Sequence, residues 1–482
     1  MTMRKPSMKF GYAFAACLGL AGLAGCTPGP AYVRPSVSVP AKFKEAGNPQ
    51  QPPPQGWQRA QPQNADDGDW WKVFGDPTLD ALEAKLSVGN QSIKKSLADL
   101  QQAQAMVGVA KSSYLPQVTA GASASSDHTS KNVVGHSLAG RTVQDYSAGV
   151  TASWEPDLFD RIGHAVDAAK ARAQASQADL ASVSLSMHAE LALDYVDLRQ
   201  LDREATLLKQ LVDDYTQARA LVQTQFDGGI ASESELQQAE TELEVAKAQW
   251  IDLGEVRAQR EHAIAVLMGV PPANFSLAPV EQTLPLPTIP AGLPSTLLER
   301  RPDIAAAERR VAAANADVGE ATSAFFPDLV LSATGGFEAS RFSQWAMLPS
   351  RFWAIGPALV GTLFDGGRRH EELSAAEARR DAAAADYRQT VLSAFQEVED
   401  KLTSQHVLAD ESIAQQRAVD ASSRAAKLAM VRYQDGATDY LEVVSTQSVN
   451  LAQVRAQVEL SRRQFAADVG LIKALGGAWG EY

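Results

Sequence analysis

The sequence predicts a mixed α and β membrane protein made of two tandem repeats, each joining a pair of membrane strands to a hairpin of very long helices. Three observations carry this. The chain repeats itself at near-constant offsets, long proline-free runs fill each half, and short strand-like segments, the first two of which alternate apolar with polar residues, precede the long runs. Repetition at a fixed period must be settled before any finer reading.

The chain has 482 residues, of which 45% are hydrophobic, enough for sizeable cores. Its net charge of -13 argues against a nucleic-acid partner, which would need a basic stripe. Arg4, Lys5 and Lys9 precede an apolar run from Phe10 to Leu23, too short and too rich in Gly and Ala to span a bilayer well. The run ends in Leu23-Ala24-Gly25-Cys26, which resembles a bacterial lipobox. That resemblance implies a lipoprotein signal peptide over 1–25 and acylation of Cys26 as the mature N-terminus. Thr27 follows rather than Asp, which by similarity to Gram-negative lipoprotein sorting points to the outer membrane. Cys17 falls in the leader and Cys26 carries the lipid, so no mature disulfide is expected.

Residues 27–66, rich in Pro, Gln and Ala, read as an extended tether. Regular structure is expected from Asp76-Pro77, a helix N-cap followed by proline at the first helical position. The first repeat spans 77–270 and the second 293–482, joined by a linker, 271–292, that carries six prolines. At an offset of 211, Tyr114-Leu115-Pro116 matches Phe325-Phe326-Pro327, and Ala103, Ala105 and Ala110 match Ala314, Ala316 and Ala321. At an offset of 207, Ala169, Ala171, Arg172, Asp179 and Glu190 match Ala376, Ala378, Arg379, Asp386 and Glu397, while Gly229 and Gly269 match Gly436 and Gly476.

Within each repeat the order is helix, strand, loop, strand, long helix, turn, long helix. Pro116 and Pro327 mark abrupt helix-to-strand joints, because proline lacks an N–H and restricts the residue before it. Strands are expected over about 116–127, 143–156, 328–338 and 352–364. Val118, Ala120, Ala122 and Ala124 alternate with Gln117, Thr119, Gly121 and Ser123. Tyr146, Ala148, Val150, Ala152 and Trp154 alternate with Ser147, Gly149, Thr151 and Ser153. Alternation over about ten residues is the pattern of a transmembrane barrel strand. Tyr114, Trp154, Phe159, Phe325, Phe326, Trp353 and Phe364 gather at strand ends, where an interfacial aromatic belt belongs. No later segment approaches 18 uninterrupted apolar residues, so any span must be a closed β-barrel. Four strands are too few to close one, whereas three chains supply twelve.

No proline occurs between Pro156 and Pro271 or after Pro357. The breaks within these runs are Asp227-Gly228-Gly229 and Asp435-Gly436. Each run is therefore expected to be a hairpin of two helices of roughly 50–65 residues, ~80–100 Å each. Leu191, Leu198, Ala205 and Val212 recur every seventh residue, as do Leu201, Leu208, Tyr215 and Val222, which marks a coiled-coil seam. Alanine fills most other apolar positions, and one chain supplies too few such helices to close a core, which implies oligomerisation.

These motifs resemble the outer-membrane efflux factors, the TolC-like channels, and most closely their lipoprotein branch typified by OprM and NodT. The resemblance rests on Arg301-Pro302-Asp303-Ile304, Ala305-Ala306-Ala307-Glu308 and Phe326-Pro327-Asp328-Leu329, with Trp70-Trp71, Gly75-Asp76-Pro77, Gly29-Pro30…Tyr32…Pro35 and Leu363-Phe364-Asp365-Gly366-Gly367. It covers nearly the whole chain from Cys26 onward, with 26–76 as the lipidated tether and equatorial segment. It implies a homotrimer, with a twelve-stranded β-barrel in the outer membrane continuous with a twelve-helix α-barrel in the periplasm. It also implies docking to a periplasmic membrane-fusion adaptor and an inner-membrane pump of RND or MFS type. Such a channel is a passive conduit for drugs or other small toxic molecules and needs no cofactor.

The hairpin turns are the candidate sites. By resemblance they form the periplasmic tip and adaptor-docking region: Asp227, Gly228 and Gly229 in the first, Tyr433, Asp435, Gly436 and Thr438 in the second. Asp439, Glu442 and Ser445 are the candidates for an acidic constriction, with 439, 442 and 446 expected on roughly one helix face. Threefold symmetry would turn one inward carboxylate into a ring. Ser445 stands where the family often has aspartate. His128 and His136, in a loop expected to be extracellular, lack partners at metal-ligand spacing. The sequence has no G-x-S-x-G, GxxxxGK[ST] or HExxH motif; His370-Glu371-Glu372 begins like the last, but Ser374 replaces its second histidine. The alternative is a lipid-anchored periplasmic coiled-coil scaffold or adaptor without a pore.

Overall fold

The computed structural model describes residues 28–45, 69–133, 135, 137–280 and 301–477. The leader, Cys26, most of the tether, His136 and linker residues 281–292 lie outside them. The helices are α1 (Pro77–Gly89), α2 (Gln91–Ser112), α3 (Arg161–Asp227), α4 (Glu233–Leu267), α5 (Pro302–Ser323), α6 (Arg368–Gln434) and α7 (Tyr440–Ala474). The strands are β1 (Gln117–His128), β2 (Thr142–Trp154), β3 (Asp328–Ala339) and β4 (Arg351–Val360). The chain divides into two compact units: Met1–Pro35, Leu100–Ser176 and Ala307–Tyr387 form one, and the rest forms the other.

The first unit holds the strands. After α2, the amides of Ser113, Tyr114 and Leu115 bond to Ala110, Lys111 and Ser112, a tightened last turn, before Pro116 stops the helix and β1 begins. The same sequence of events runs through Ala324, Phe325 and Phe326 to Pro327 and β3. Aromatics brace both joints: Trp154 Nε1 donates to the Tyr114 carbonyl at 2.9 Å, and Phe159 stacks on Phe326 at 4.7 Å.

The strands form one antiparallel sheet in the order β1-β2-β3-β4. Its register keeps one face apolar across all four strands apart from Arg351 and the loop-end rows, and aligns polar residues on the other across β1, β2 and most of β3, while β4 is apolar there too, from Phe352 to Val360. Val118 pairs with Ala152, Ala333 and Ile355 in one row, and Ala120 with Val150, Gly335 and Trp353 in the next. On the opposite face Thr119 aligns with Thr151 and Thr334, and Ser123 with Ser147 and Glu338. Hydroxyl pairs lace the polar face at 2.8 Å (Ser123–Ser147) and 3.1 Å (Thr151–Thr334). β2 ends at Trp154 and β4 at Val360, short of the expected 156 and 364. For β4 the cause is its partner: Val360 pairs with Asp328, the first residue of β3, and Pro327 before it cannot extend the ladder. Beyond it, Arg369 takes the Thr362 carbonyl at 2.7 Å.

In this unit residues 28–35 run as a strap along helices. His164 Nε2 donates to the Pro28 carbonyl at 2.8 Å, Asn315 to Pro30 at 2.9 Å, the Tyr32 hydroxyl to Glu308, and Arg34 Nε to the Tyr387 hydroxyl at 3.1 Å. Gly29 (φ 130°) lies so close to Gly319 that a Cβ would come within 2.8 Å of its Cα.

The second unit contains the hairpin turns. α3 and α6 have 67 residues each, as expected, but α4 and α7 have only 35. The longer pair runs ~100 Å and the shorter ~50 Å. The short helices end ahead of Gly269 and Gly476, both at positive φ, where helices terminate readily. Another helix then abuts each end. Asn90 caps α2 by accepting from the Ser92 and Ile93 amides, and its Nδ2 donates at 2.9 Å to Leu267 O in the last turn of α4. Arg301, immediately before α5, donates at 3.0 Å to Ala474 O, the last residue of α7. These joints sit at the offsets of 211 and 207 already seen in sequence.

The start of α1 is anchored as the sequence implies. Asp76 accepts from the Thr78 and Leu79 amides, and Tyr195 donates to its other oxygen at 2.6 Å. A 3-10 turn over Trp70–Phe74 precedes it, earlier than expected. Trp71 stacks on His188 at 4.5 Å, and His188 Nδ1 lies 2.6 Å from the Glu83 carboxylate. Burial is the main cause that raises Glu83 to about 7; it does the same to Asp468, whose carboxylate accepts from Gln405 Nε2 at 2.6 Å.

Two predictions follow from these contacts. Asn90→Ala removes a cap and leaves the Leu267 carbonyl without its donor, a loss of about 1–3 kcal/mol by chemical denaturation; an unchanged midpoint would show that the helix ends do not depend on this contact. Asp468 holds its proton more tightly folded than unfolded, so its favourable contribution is complete below about pH 4 and disappears as pH rises through about 7. Asp468→Asn should therefore be more stable than the parent at pH 8 by a few kcal/mol and nearly equal to it at pH 4, read from melts at both values.

Candidate functional site: the hairpin tips

Both hairpins turn through a left-handed glycine. At the first, the Gly228 and Gly229 amides bond to Thr224 and Phe226, the Ile230 and Ala231 amides both reach Gln225 O, and Gly229 has φ 72°. At the second, Asp435 bonds to Val431, Gly436 to Tyr433 and Ala437 to Arg432, and Gly436 also has φ 72°. A non-glycine residue is strained in that region. Ser232 starts α4 with a complete capping box, its side chain accepting from Glu235 N while the Glu235 carboxylate takes the Ser232 amide at 2.7 Å.

The two turns meet in one small core. Val222, Ala239, Ala429, Tyr433, Tyr440 and Val443, one or two from each of four helices, pack together. Tyr433 and Tyr440 lie edge to face at 5.2 Å, and the Tyr433 hydroxyl donates to Gln225 Oε1 at 2.5 Å. Burial raises both phenols, Tyr440 to about 12. Of the sequence candidates, Tyr433 is therefore buried, whereas Asp227, Gly228, Gly229, Asp435 and Gly436 stay exposed at the turns and Thr438 is half-buried.

The constriction candidates lie at the start of α7. α7 begins at Tyr440, so Asp439 is its N-cap and accepts from the Glu442 amide at 3.2 Å. As the cap it sets where the first turn begins, and its carboxylate lies against the backbone of Glu442. Glu442 accepts from Arg432 at 2.8 Å and from the Thr438 hydroxyl, while Ser445 is exposed. Gln225 and Arg432 are not among the sequence candidates, because nothing local signals contacts reaching across hairpins or across a turn. His128 Nδ1 pairs with Thr142 Oγ1 at 2.9 Å. Among the described residues no cluster of three His, Cys, Asp or Glu could hold a metal, and no helix is long and apolar enough to cross a membrane.

A family model for outer membrane efflux proteins matches residues 84–270 and again 293–477. The chain belongs to the outer membrane efflux protein family. It is 30% identical to outer membrane protein OprJ of Pseudomonas aeruginosa, over 99% of this chain and 98% of that one. It is 32% identical to the pyoverdine export outer membrane protein OpmQ of the same organism, with 98% of each covered. Among solved structures, the outer-membrane channel OprN superposes with a TM-score of 0.85 at 31% identity, over 94% of this chain and 99% of that one. The fold is thus that of a TolC-like outer-membrane channel, and the protein is an outer-membrane efflux channel of a tripartite system, working with an adaptor and an inner-membrane pump. The family is one of conduits, not of enzymes.

The tip geometry separates packing from charge. Tyr440→Ala should empty the tip core and cost ~3–5 kcal/mol of local stability, read by hydrogen exchange of the 429–443 amides. Arg432→Gln breaks a half-exposed ion pair and should cost under about 1 kcal/mol. Equal losses would show that the pair, not the aromatic core, holds the turns.

Proposed function

We propose that this channel acts as a homotrimer of two-repeat chains, the repeats spanning 77–270 and 293–482. Each chain contributes four strands to a twelve-stranded barrel and four helical columns to a twelve-helix periplasmic tunnel. Its hairpin tips dock the membrane-fusion adaptor, and Cys26 carries a lipid anchor. The cargo is drugs or other small toxic molecules, handed over by an RND- or MFS-type pump that supplies the energy. Passage through the tip is controlled at the level of Tyr433, Asp439, Glu442 and Ser445.

The observation that carries the reading is the sheet: apolar on one face and polar on the other across β1, β2 and most of β3, continued by an all-apolar run from Phe352 to Val360 in β4, and open at both edges among the described residues. A pore-free adaptor has no use for such a surface, whereas a barrel wall requires it. Planar-bilayer recording tests it. Parent protein should give small or infrequent conductance steps, and Tyr433→Ala or Glu442→Gln should enlarge them; silence from all three would sink the pore. Intact-mass measurement of the mature chain should find acyl mass on Cys26, and an unmodified thiol there would refute the anchor.

A further inference from the structure

The four strands carry five charged residues: Asp127, Asp145, Asp328, Glu338 and Arg351. The ladder sorts them. Asp127, Asp145, Asp328 and Glu338 share the parity of the Ser and Thr face, while Arg351 stands alone on the apolar face, in the row of Ala122, Ala148 and Phe337. No carboxylate in the strands shares its side. Its depth is marked by its neighbours. One row toward the loops the face carries Tyr146 between Ala124 and Ala339, and one row beyond that it turns polar, with Ser126 opposite Gln144. One row inward stands Trp353, 75% exposed. Arg351 is thus at the loop-end rim of the apolar band.

The adjoining loop adds aromatic surface on the same side. Phe342 packs edge-on against Tyr146 at 5.6 Å and lies parallel to Trp345 at 6.4 Å. Phe342 is 72% exposed, and Arg341 beside it is exposed as well. A guanidinium presents a donor fork that matches phosphate, and its stem can lie on apolar surface while the head rises to a polar level. A cation on a lipid-facing surface is costly unless an anion meets it.

We propose that Arg351, flanked by Trp353, Phe342 and Arg341, binds the phosphate head group of an anionic membrane lipid whose acyl chains lie along the apolar rows. This rests on reading the apolar face as the lipid face of the barrel. Full-length protein in nanodiscs of phosphatidylcholine doped with phosphatidylglycerol, analysed by native mass spectrometry, tests it. The parent should retain phosphatidylglycerol selectively, Arg351→Gln should retain roughly fivefold less, as expected for losing one basic residue at a membrane surface, and Arg351→Lys should keep most of the selectivity. Equal retention by parent and Arg351→Gln would overturn the site. Displacement of the lipid by excess inorganic phosphate would assign the arginine to a free anion and also overturn it. Quenching by brominated lipid separates the underlying reading: Trp353→Phe should remove a quenched component, and if it removes none, the lipid face and the site fall together.

Discussion

Everything in this chain depends on a hydrogen-bonding constraint at the edges of one small sheet. Among the described residues β1 and β4 each have a partner strand on one side only, so a row of amides and carbonyls on each outer edge has no strand beside it. In hydrocarbon such groups have no water to turn to, and only closure satisfies them. A sheet with this composition can be neither a monomeric membrane domain nor a well-behaved soluble one: its apolar rows want lipid, and its edges want more strands. The proposed trimer answers both demands at once.

The helices express the same insufficiency. Leu191, Leu198, Leu208, Tyr215 and Val222 are buried along the seam of α3, yet Trp250, Ile251 and Leu428 remain widely exposed on α4 and α6. The wall of the proposed tunnel, one helix thick, would have two surfaces, and a single chain covers neither completely. Charge pairing supplements packing on these surfaces, as between Arg455 and Glu204 at 2.9 Å, but exposed pairs of this kind add little individually. The deep polar groups matter more because they are tied to backbone. Arg199 and Arg257 flank Asp202 and donate to Ala278 O and Leu277 O, clamping the chain where it leaves the first repeat.

How much could be read in advance follows from the range of each interaction. Pro116, Pro327 and the Asp76-Pro77 cap act on their immediate neighbours, so their effect was legible. Strand alternation was legible in β1 and β2, because strands with two different faces write a period of two into the chain, whereas β4 is apolar on both faces and shows none. The length of α4 and α7 was not, since the glycines that end them look like any other. Nor were the donations from Asn90 to Leu267 and from Arg301 to Ala474, whose partners lie 177 and 173 residues apart. Asp439 shows a subtler limit. Whether an aspartate caps a helix or decorates its face depends on where the first turn begins, and a shift of one residue exchanges the two roles.

The end-to-end joints have a mechanical consequence. A continuous α-helix resists bending along its whole length, because every turn is bonded to the next. A column assembled from two abutting segments transmits load through a few side-chain hydrogen bonds at the butt. α3 and α6 are rods of the first kind, whereas α4 and α7 belong to columns of the second. In the proposed tunnel, a wall that combines unbroken struts with jointed ones would be stiff in compression but have defined points of compliance. Torsion applied at the turns would be taken up at Asn90 and Arg301, as rotation about the butt joints, without a single helical turn having to unwind.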